Sequence, residues 1–183
     1  MEYSRKVTLK DGRTCIVRNG TPQDAEAVLA GYILAHDETE FLTTYADEIT
    51  ITPEEEREFL QARIESSREA EIVAEVGGRI VGAAGMDCRR KAEKTNHRAT
   101  FGISIEKAWW GLGIGKALTE VCIECARAAG YLQMELEVVA DNERAVRLDR
   151  SAGFTEYGRN PRGFRTRSGK WQENILMRLE LDG

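Results

Sequence analysis

Apolar and polar positions divide the chain into short elements of alternating type. Arg13 to Arg18 reads RTCIVR, a β-rich run ending at the turn signal Asn19-Gly20. Thr21-Pro22 follows as N-cap and first helical residue, with Asp24 in the first turn. This predicts a helix to about His36 that buries Ala25, Val28, Leu29 and Tyr32. The acidic, aromatic stretch from Asp37 to Thr50 has no period and is expected to be loop with a short helix. Thr52-Pro53-Glu54-Glu55 is a capping box with proline in the first position, opening a helix that turns Phe59, Leu60 and Ile64 inward.

Ala70 to Asp87 reads as a hairpin about Gly77-Gly78, and the polar run CRRKAEKTN after it as an exposed connection. From His97 the alternation is strict. His97, Ala99, Phe101, Ile103 and Ile105 share one strand face; Arg98, Thr100, Gly102 and Ser104 share the other. Leu118, Val121, Cys122, Cys125 and Ala129 then recur at helical spacing, and Gly130 closes that helix. A strand follows with Met134, Leu136, Val138 and Ala140 on one face. Asp141 or Asn142 caps a short helix bearing Ala145, Val146 and Leu148, stopped by Gly153 with Phe154 behind it. Two last strands, near Thr155 to Asn160 and Asn174 to Leu181, flank a basic loop, PRGFRTRSGKW.

The predicted order is strand, two helices, three strands, helix, strand, helix, two strands. A chain of 183 residues suits one domain with a substantial core. Residues 13–183 are assigned to it and residues 1–12 to an N-terminal segment. The net charge of −5 argues against a nucleic-acid binder, which needs a basic face. No apolar run is long enough to span a bilayer and the N-terminus lacks a signal-peptide pattern, so the expected compartment is the cytoplasm, without a membrane partner. Cys122 and Cys125 have Cys-x-x-Cys spacing, but no second pair of Cys or His accompanies them. No metal is expected, and both read as small hydrophobes on the helical stripe.

The most informative stretch is WWGLGIGKAL, Trp109 to Leu118. Its glycines (Gly111, Gly113, Gly115) sit between a strand and a helix, so exposed N–H groups and the positive end of a helix dipole form an anion site. It is not a Walker loop: Trp110 stands where the first glycine belongs, and Ala117 replaces the magnesium-binding hydroxyl. A dinucleotide fingerprint starting at Gly111 would need a glycine at Lys116 and an earlier place in the chain.

The Gly-x-Gly-x-Gly pattern followed by KAL resembles the coenzyme A pyrophosphate loop of the GCN5-related N-acetyltransferase (GNAT) family, usually Gln/Arg-x-x-Gly-x-Gly/Ala. Trp110 departs from the family at the Gln/Arg position. The segment NERAVRLDRSAGF, with Asn142, Ala145, Leu148, Gly153 and Phe154 in place, is similar to a second family segment. The resemblance implies a single α/β (α+β) domain with a mixed, mostly antiparallel sheet of about seven strands and helices on both faces. It implies acetyl-CoA as co-substrate, and direct transfer to a primary amine of a small molecule or peptide. The cofactor residues implied are Ile103, Ser104 and Ile105 along a splayed strand, Trp110, Gly111, Leu112, Gly113, Ile114, Gly115 and Lys116 in the loop, and Asn142 and Ala145. Homodimers are common in the family, and no stretch of this sequence marks an interface.

A bound ammonium must lose a proton before attack, since its ordinary pKa is near 10.4. Where the family often has a glutamate base, this chain has Ala99, which leaves His97 and Glu106 as candidates. Where many members have a tyrosine that protonates the leaving thiolate, this chain has Asp149, a fit for that role only if burial raises its pKa. The acidic stretch Asp37, Glu38, Glu40, Asp47, Glu48 suits a cationic acceptor; the basic loop with Arg162, Arg165, Arg167 and Lys170 suits an acidic one. The sequence does not name the acceptor. The departures at Ala99 and Asp149 also fit a silent acyl-CoA sensor of the same fold, and a nucleotide-binding oxidoreductase is a more remote alternative.

Overall fold

In the computed structural model, residues 3–90 and 92–182 are described; Met1 and Lys91, which fall in the expected N-terminal segment and polar connection, lie outside them. The described residues form eight strands, β1 (Ser4–Thr8), β2 (Thr14–Asn19), β3 (Ala70–Val76), β4 (Arg79–Cys88), β5 (Arg98–Ile105), β6 (Gln133–Val139), β7 (Thr155–Arg165) and β8 (Trp171–Glu180). The helices are α1 (Ala25–Asp37), α2 (Pro53–Glu65), α3 (Ile114–Ala128) and α4 (Glu143–Ser151). The strands form one sheet in the order β1-β2-β3-β4-β5-β6-β8-β7, antiparallel throughout except for β5 against β6. No helix of the described residues is long and apolar enough to cross a membrane.

The expected element order holds, with one strand more. β1 pairs with β2 along its whole length, and the hairpin between them closes through the Leu9 amide on the Arg13 carbonyl at 2.8 Å. None of its residues is buried, so there was no hydrophobic alternation to read, although Asp11-Gly12 is a turn signal. The last hairpin also differs. Most of the basic stretch expected as a loop extends β7 and β8, because the register shifts between Asn160 and Phe164 and pairing then resumes to Arg165 opposite Trp171.

α3 covers one face of the sheet. Its stripe of Ile114, Leu118, Val121, Cys122 and Cys125 is buried against Ile72, Ala74, Val81, Ala84 and Met86, and Val146 of α4 joins the same core. Truncating a fully buried member such as Leu118 to alanine costs about 2–5 kcal/mol. α1 and α2 cover the opposite face through a smaller cluster of Ala25, Val28, Leu60, Val73 and Ile80.

The seam between β5 and β6 sets up everything that follows. Only Arg98–Thr100 pairs with Gln133–Glu135. Beyond that point β5 stays with β4 as far as Ile105, while β6 stays with β8 as far as Val139, so the sheet divides into two wings. The closed end is clamped by Glu135, 2% exposed, which receives Arg89 from beyond β4 and Arg98 from β5.

Candidate active site

A cavity of about 1010 Å³ fills the divided seam and continues under α1 and α2. Its lining includes Phe101, Gly102, Ile103 and Ser104 from β5, Leu136 and Val138 from β6, and Asn142, Ala145, Leu148 and Asp149 from α4. On the α1–α2 side it reaches Tyr32, Glu56, Phe59, Glu71 and Asp87. It therefore passes through the sheet, with α4 at one mouth and the first two helices at the other.

Next to the α4 mouth lies the glycine loop. Gly111 and Gly113 have φ of +80° and +104°, values that L side chains rarely adopt. Gly113 is the N-cap of α3 and offers no side chain to its first turn. None of the amides of residues 111–116 has a backbone acceptor among the described residues, so a row of donors faces outward at the positive end of a 15-residue helix. Gly115 has a different reason to be glycine. A Cβ there would lie 3.0 Å from Leu148 and 3.5 Å from Ile105, so the bare position lets α3, α4 and the end of β5 meet.

Trp110 finds polar contacts of its own. Its indole N–H donates to the Ile105 carbonyl at 2.7 Å, tying the loop to the end of β5, and the Arg144 guanidinium stacks 4.6 Å from its ring. The Leu112 carbonyl also accepts the Lys10 amide at 3.1 Å, so the β1–β2 turn braces the loop from behind.

The three sequence-derived candidates for proton transfer separate in space. Asp149 lines the cavity, is 4% exposed and has no side-chain hydrogen-bond partner among the described residues; burial pushes its carboxyl up to about 7. Glu106 is equally buried but does not line the cavity, and both its oxygens accept from Arg79, at 2.8 and 2.6 Å. His97 lies in the turn before β5, outside the lining, where its carbonyl accepts the Leu132 amide at 2.9 Å. Ala99 is buried in the α3-side core, so its strand face turns away from the α1–α2 mouth. Of the residues assigned to the cofactor, Ile103, Ser104, Asn142 and Ala145 line the cavity; Ile105 and the loop adjoin it.

Sequence reasoning missed the acids at the α1–α2 mouth. Glu71 of β3 is pushed up to about 8, by burial first and then by Asp87 and Glu56, with Arg63 opposing. Glu56 is 8% exposed, and burial raises it too. The available signal was glycine inside β4: a Cβ at Gly85 would lie 2.7 Å from the Glu71 carboxylate, a close approach of the kind that strand glycines often mark. The acidic and basic stretches that pointed to opposite acceptors are partners. Arg167 pairs with Asp47 at 2.6 Å and stacks 4.0 Å from the Tyr45 ring, docking the β7–β8 turn on the α1–α2 connection.

The acetyltransferase (GNAT) family model matches residues 33–154. A methionine sulfoximine/methionine sulfone acetyltransferase of Salmonella typhimurium is 27% identical over 111 residues, 61% of this chain and 64% of that protein. The L-amino acid N-acetyltransferase AaaT of Escherichia coli is 28% identical over 108 residues, 58% of this chain and 65% of its own. The matched stretch thus spans somewhat under two thirds of these relatives. A GNAT-family acetyltransferase of Streptococcus pneumoniae superposes with a TM-score of 0.87 at 29% identity, covering 91% of this chain and 99% of that one. With the family model spanning the divided seam, the glycine loop and α4, the chain belongs to the acetyltransferase (GNAT) family.

Proposed function

We propose that this protein transfers an acetyl group from acetyl-CoA directly to a primary amine of a small molecule. The observation that carries this reading is the divided β5–β6 seam opening beside a row of unpartnered amides at the start of α3. The residues present fit such a carrier. The amides of 111–116 suit a diphosphate, and the free edge of β5 at Ile103 to Ile105 suits an amide-bearing arm that completes the seam as a strand would. When bound, acetyl-CoA supplies the acetyl group as a thioester. The names of the relatives, which are acetyltransferases of amino acids and their analogues, support an amine acceptor.

Asp149 fits proton delivery to the leaving sulfur. At the α4 mouth its raised pKa keeps it protonated below about pH 7, so it presents a donor rather than a charge that would repel a thiolate. No cysteine lines the cavity among the described residues, which favours transfer within one complex over an acetyl-enzyme.

The test is acetyl-CoA binding by calorimetry, with thiol release followed across a panel of amines. Gly113→Glu puts a side chain and a negative charge at a φ of +104° in the amide row, and is expected to weaken acetyl-CoA binding about 100-fold or more. Unchanged affinity in a variant that melts like the parent would refute the assignment of the loop.

A further inference from the structure

The register of the sheet lines up three positions across the α1–α2 mouth. Glu71 of β3 pairs with Gly85 of β4, and Gly85 pairs with Gly102 of β5, the strand that borders the open seam. Two glycines side by side leave a bare floor, about 5 Å per strand, between the Glu71 carboxylate and the seam. Gly102 has nothing within 4 Å of where a Cβ would stand. The Glu71 carboxylate leans over Gly85, and among the described residues no hydrogen bond or ion pair holds it.

We propose that this trench receives the ammonium of a cationic acceptor lacking a carboxylate beside its amine, and that Glu71 takes the proton that frees the nitrogen for attack. This deepens the acetyltransferase reading and rests on it.

Charge around the trench supports the acceptor class. Glu71 is faced by Asp87 from β4, by Glu56 and Arg63 from α2, and by Tyr32 from α1, with Cys122 of α3 behind the sheet. Arg63 is engaged by Asp87 and by Glu69 at 2.6 Å. Arg89 is the only lysine or arginine lining the cavity among the described residues, and it is committed to Glu135. A substrate carboxylate would therefore meet Glu56 and Glu71 with no free cation to receive it, whereas an ammonium relieves their mutual repulsion. Independent of this acidic wall, Asp149 sits in the same cavity nine-tenths buried and without a partner, which places a second titratable group across the seam.

The two acids then divide the chemistry by face. Glu71 takes a proton from the ammonium. The freed nitrogen lone pair forms the C–N bond as the thioester C–S bond breaks, the sulfur keeps that electron pair, and Asp149 protonates it. Over one cycle the nitrogen loses two protons, the sulfur gains one and solvent receives the other.

The experiment uses the whole chain, acetyl-CoA and three acceptors: 3-methylbutylamine, free leucine, which adds only the carboxylate, and 1,5-diaminopentane. We expect kcat/KM for 3-methylbutylamine at least 10-fold above that for leucine, and turnover of the diamine; equal or reversed preference overturns the acceptor class. Glu71→Gln keeps the size of the side chain and breaks no hydrogen bond or ion pair among the described residues, so it should fold as well as the parent. It is expected to lower kcat about 100-fold, leave acetyl-CoA affinity unchanged and lose the rise of kcat/KM with pH. Glu71→Asp should keep that rise at a reduced kcat. If Glu71→Gln turns over within threefold of the parent with the same pH profile, the role of Glu71 is refuted. If the protein binds acetyl-CoA but acetylates none of the three, this proposal fails while the carrier site stands. Failure to bind acetyl-CoA removes the underlying reading as well.

Discussion

Four of the acids packed in or against this sheet fall into two pairs. Glu106 and Glu135 are 4% and 2% exposed, and each is held by arginine: Glu106 by Arg79 at the end of β5, Glu135 by Arg89 and Arg98 at the closed end of the seam. Asp149 is as buried as these, yet among the described residues no cation or donor reaches its carboxyl; Glu71, half-buried across the sheet, accepts no hydrogen bond there and feels only Arg63, which Asp87 and Glu69 already engage. Burial alone does not separate the pairs; compensation does. A carboxylate taken from water and matched to a guanidinium fixes geometry, whereas one taken from water unmatched holds its proton to near neutrality and can exchange it. The matched acids clamp the ends of β5, and the unmatched ones line the gap that the clamps hold open.

The largest effect expected of this contrast is on stability. Glu135→Ala leaves two arginines at the seam without their buried partner and should cost about 3–5 kcal/mol in urea unfolding. Glu106→Gln should cost less, about 2 kcal/mol, because the Arg79 side chain is 59% exposed and water replaces much of what it loses.

Asp149→Asn should move stability the other way. In the folded chain Asp149 keeps its proton to about pH 7; in the unfolded chain it loses it near its ordinary value of 3.8. Between those limits the folded state binds more protons, so the stability that Asp149 contributes when protonated is present in acid and lost as pH rises to about 7. The shift alone corresponds to about 4 kcal/mol at pH 8, and an unpartnered amide in the same place gives back about 1–3 kcal/mol. Asp149→Asn is therefore expected to be more stable than the parent by about 1–3 kcal/mol at pH 8, with no gain at pH 4. It should also slow turnover about 10-fold or more, since the amide cannot give a proton to sulfur. A variant less stable than the parent at pH 8 would show that Asp149 is compensated after all.

Most of the architecture was legible because it is local. Capping boxes, glycine stops and alternation fixed the course from β2 to β8, and the anion loop announced itself within a few residues. β1 escaped because it is an exposed edge with no apolar face. The trench escaped for a different reason. Glu71, Gly85 and Gly102 form a row only after three strands take their register, and Glu71 alone reads as a solvent-facing residue in a hairpin. In the same way the opposed acidic and basic stretches hid an ion pair, Asp47 with Arg167, between residues far apart in sequence. His97 reads as sharing the strand face of Ala99, but it stands in the turn before β5, and Glu106 is held by Arg79, so neither lines the seam.

The smallest effect expected concerns a basic residue that is not matched to an acid. Arg144 lies in the first turn of α4, exposed, with no carboxylate partner among the described residues, and Trp110 holds its guanidinium beside the amide row. Its charge is pinned by an aromatic face rather than neutralised, which leaves it available to the phosphates of the carrier. An exposed contact of this kind is worth about 1 kcal/mol, so Arg144→Ala should weaken acetyl-CoA binding about fivefold, with the difference shrinking as salt is raised. Trp110→Leu should produce a similar loss even though it removes no charge, because it frees both Arg144 and the Ile105 carbonyl. If Arg144→Ala binds like the parent at low salt, the stacked pair braces the loop and does nothing for the anion.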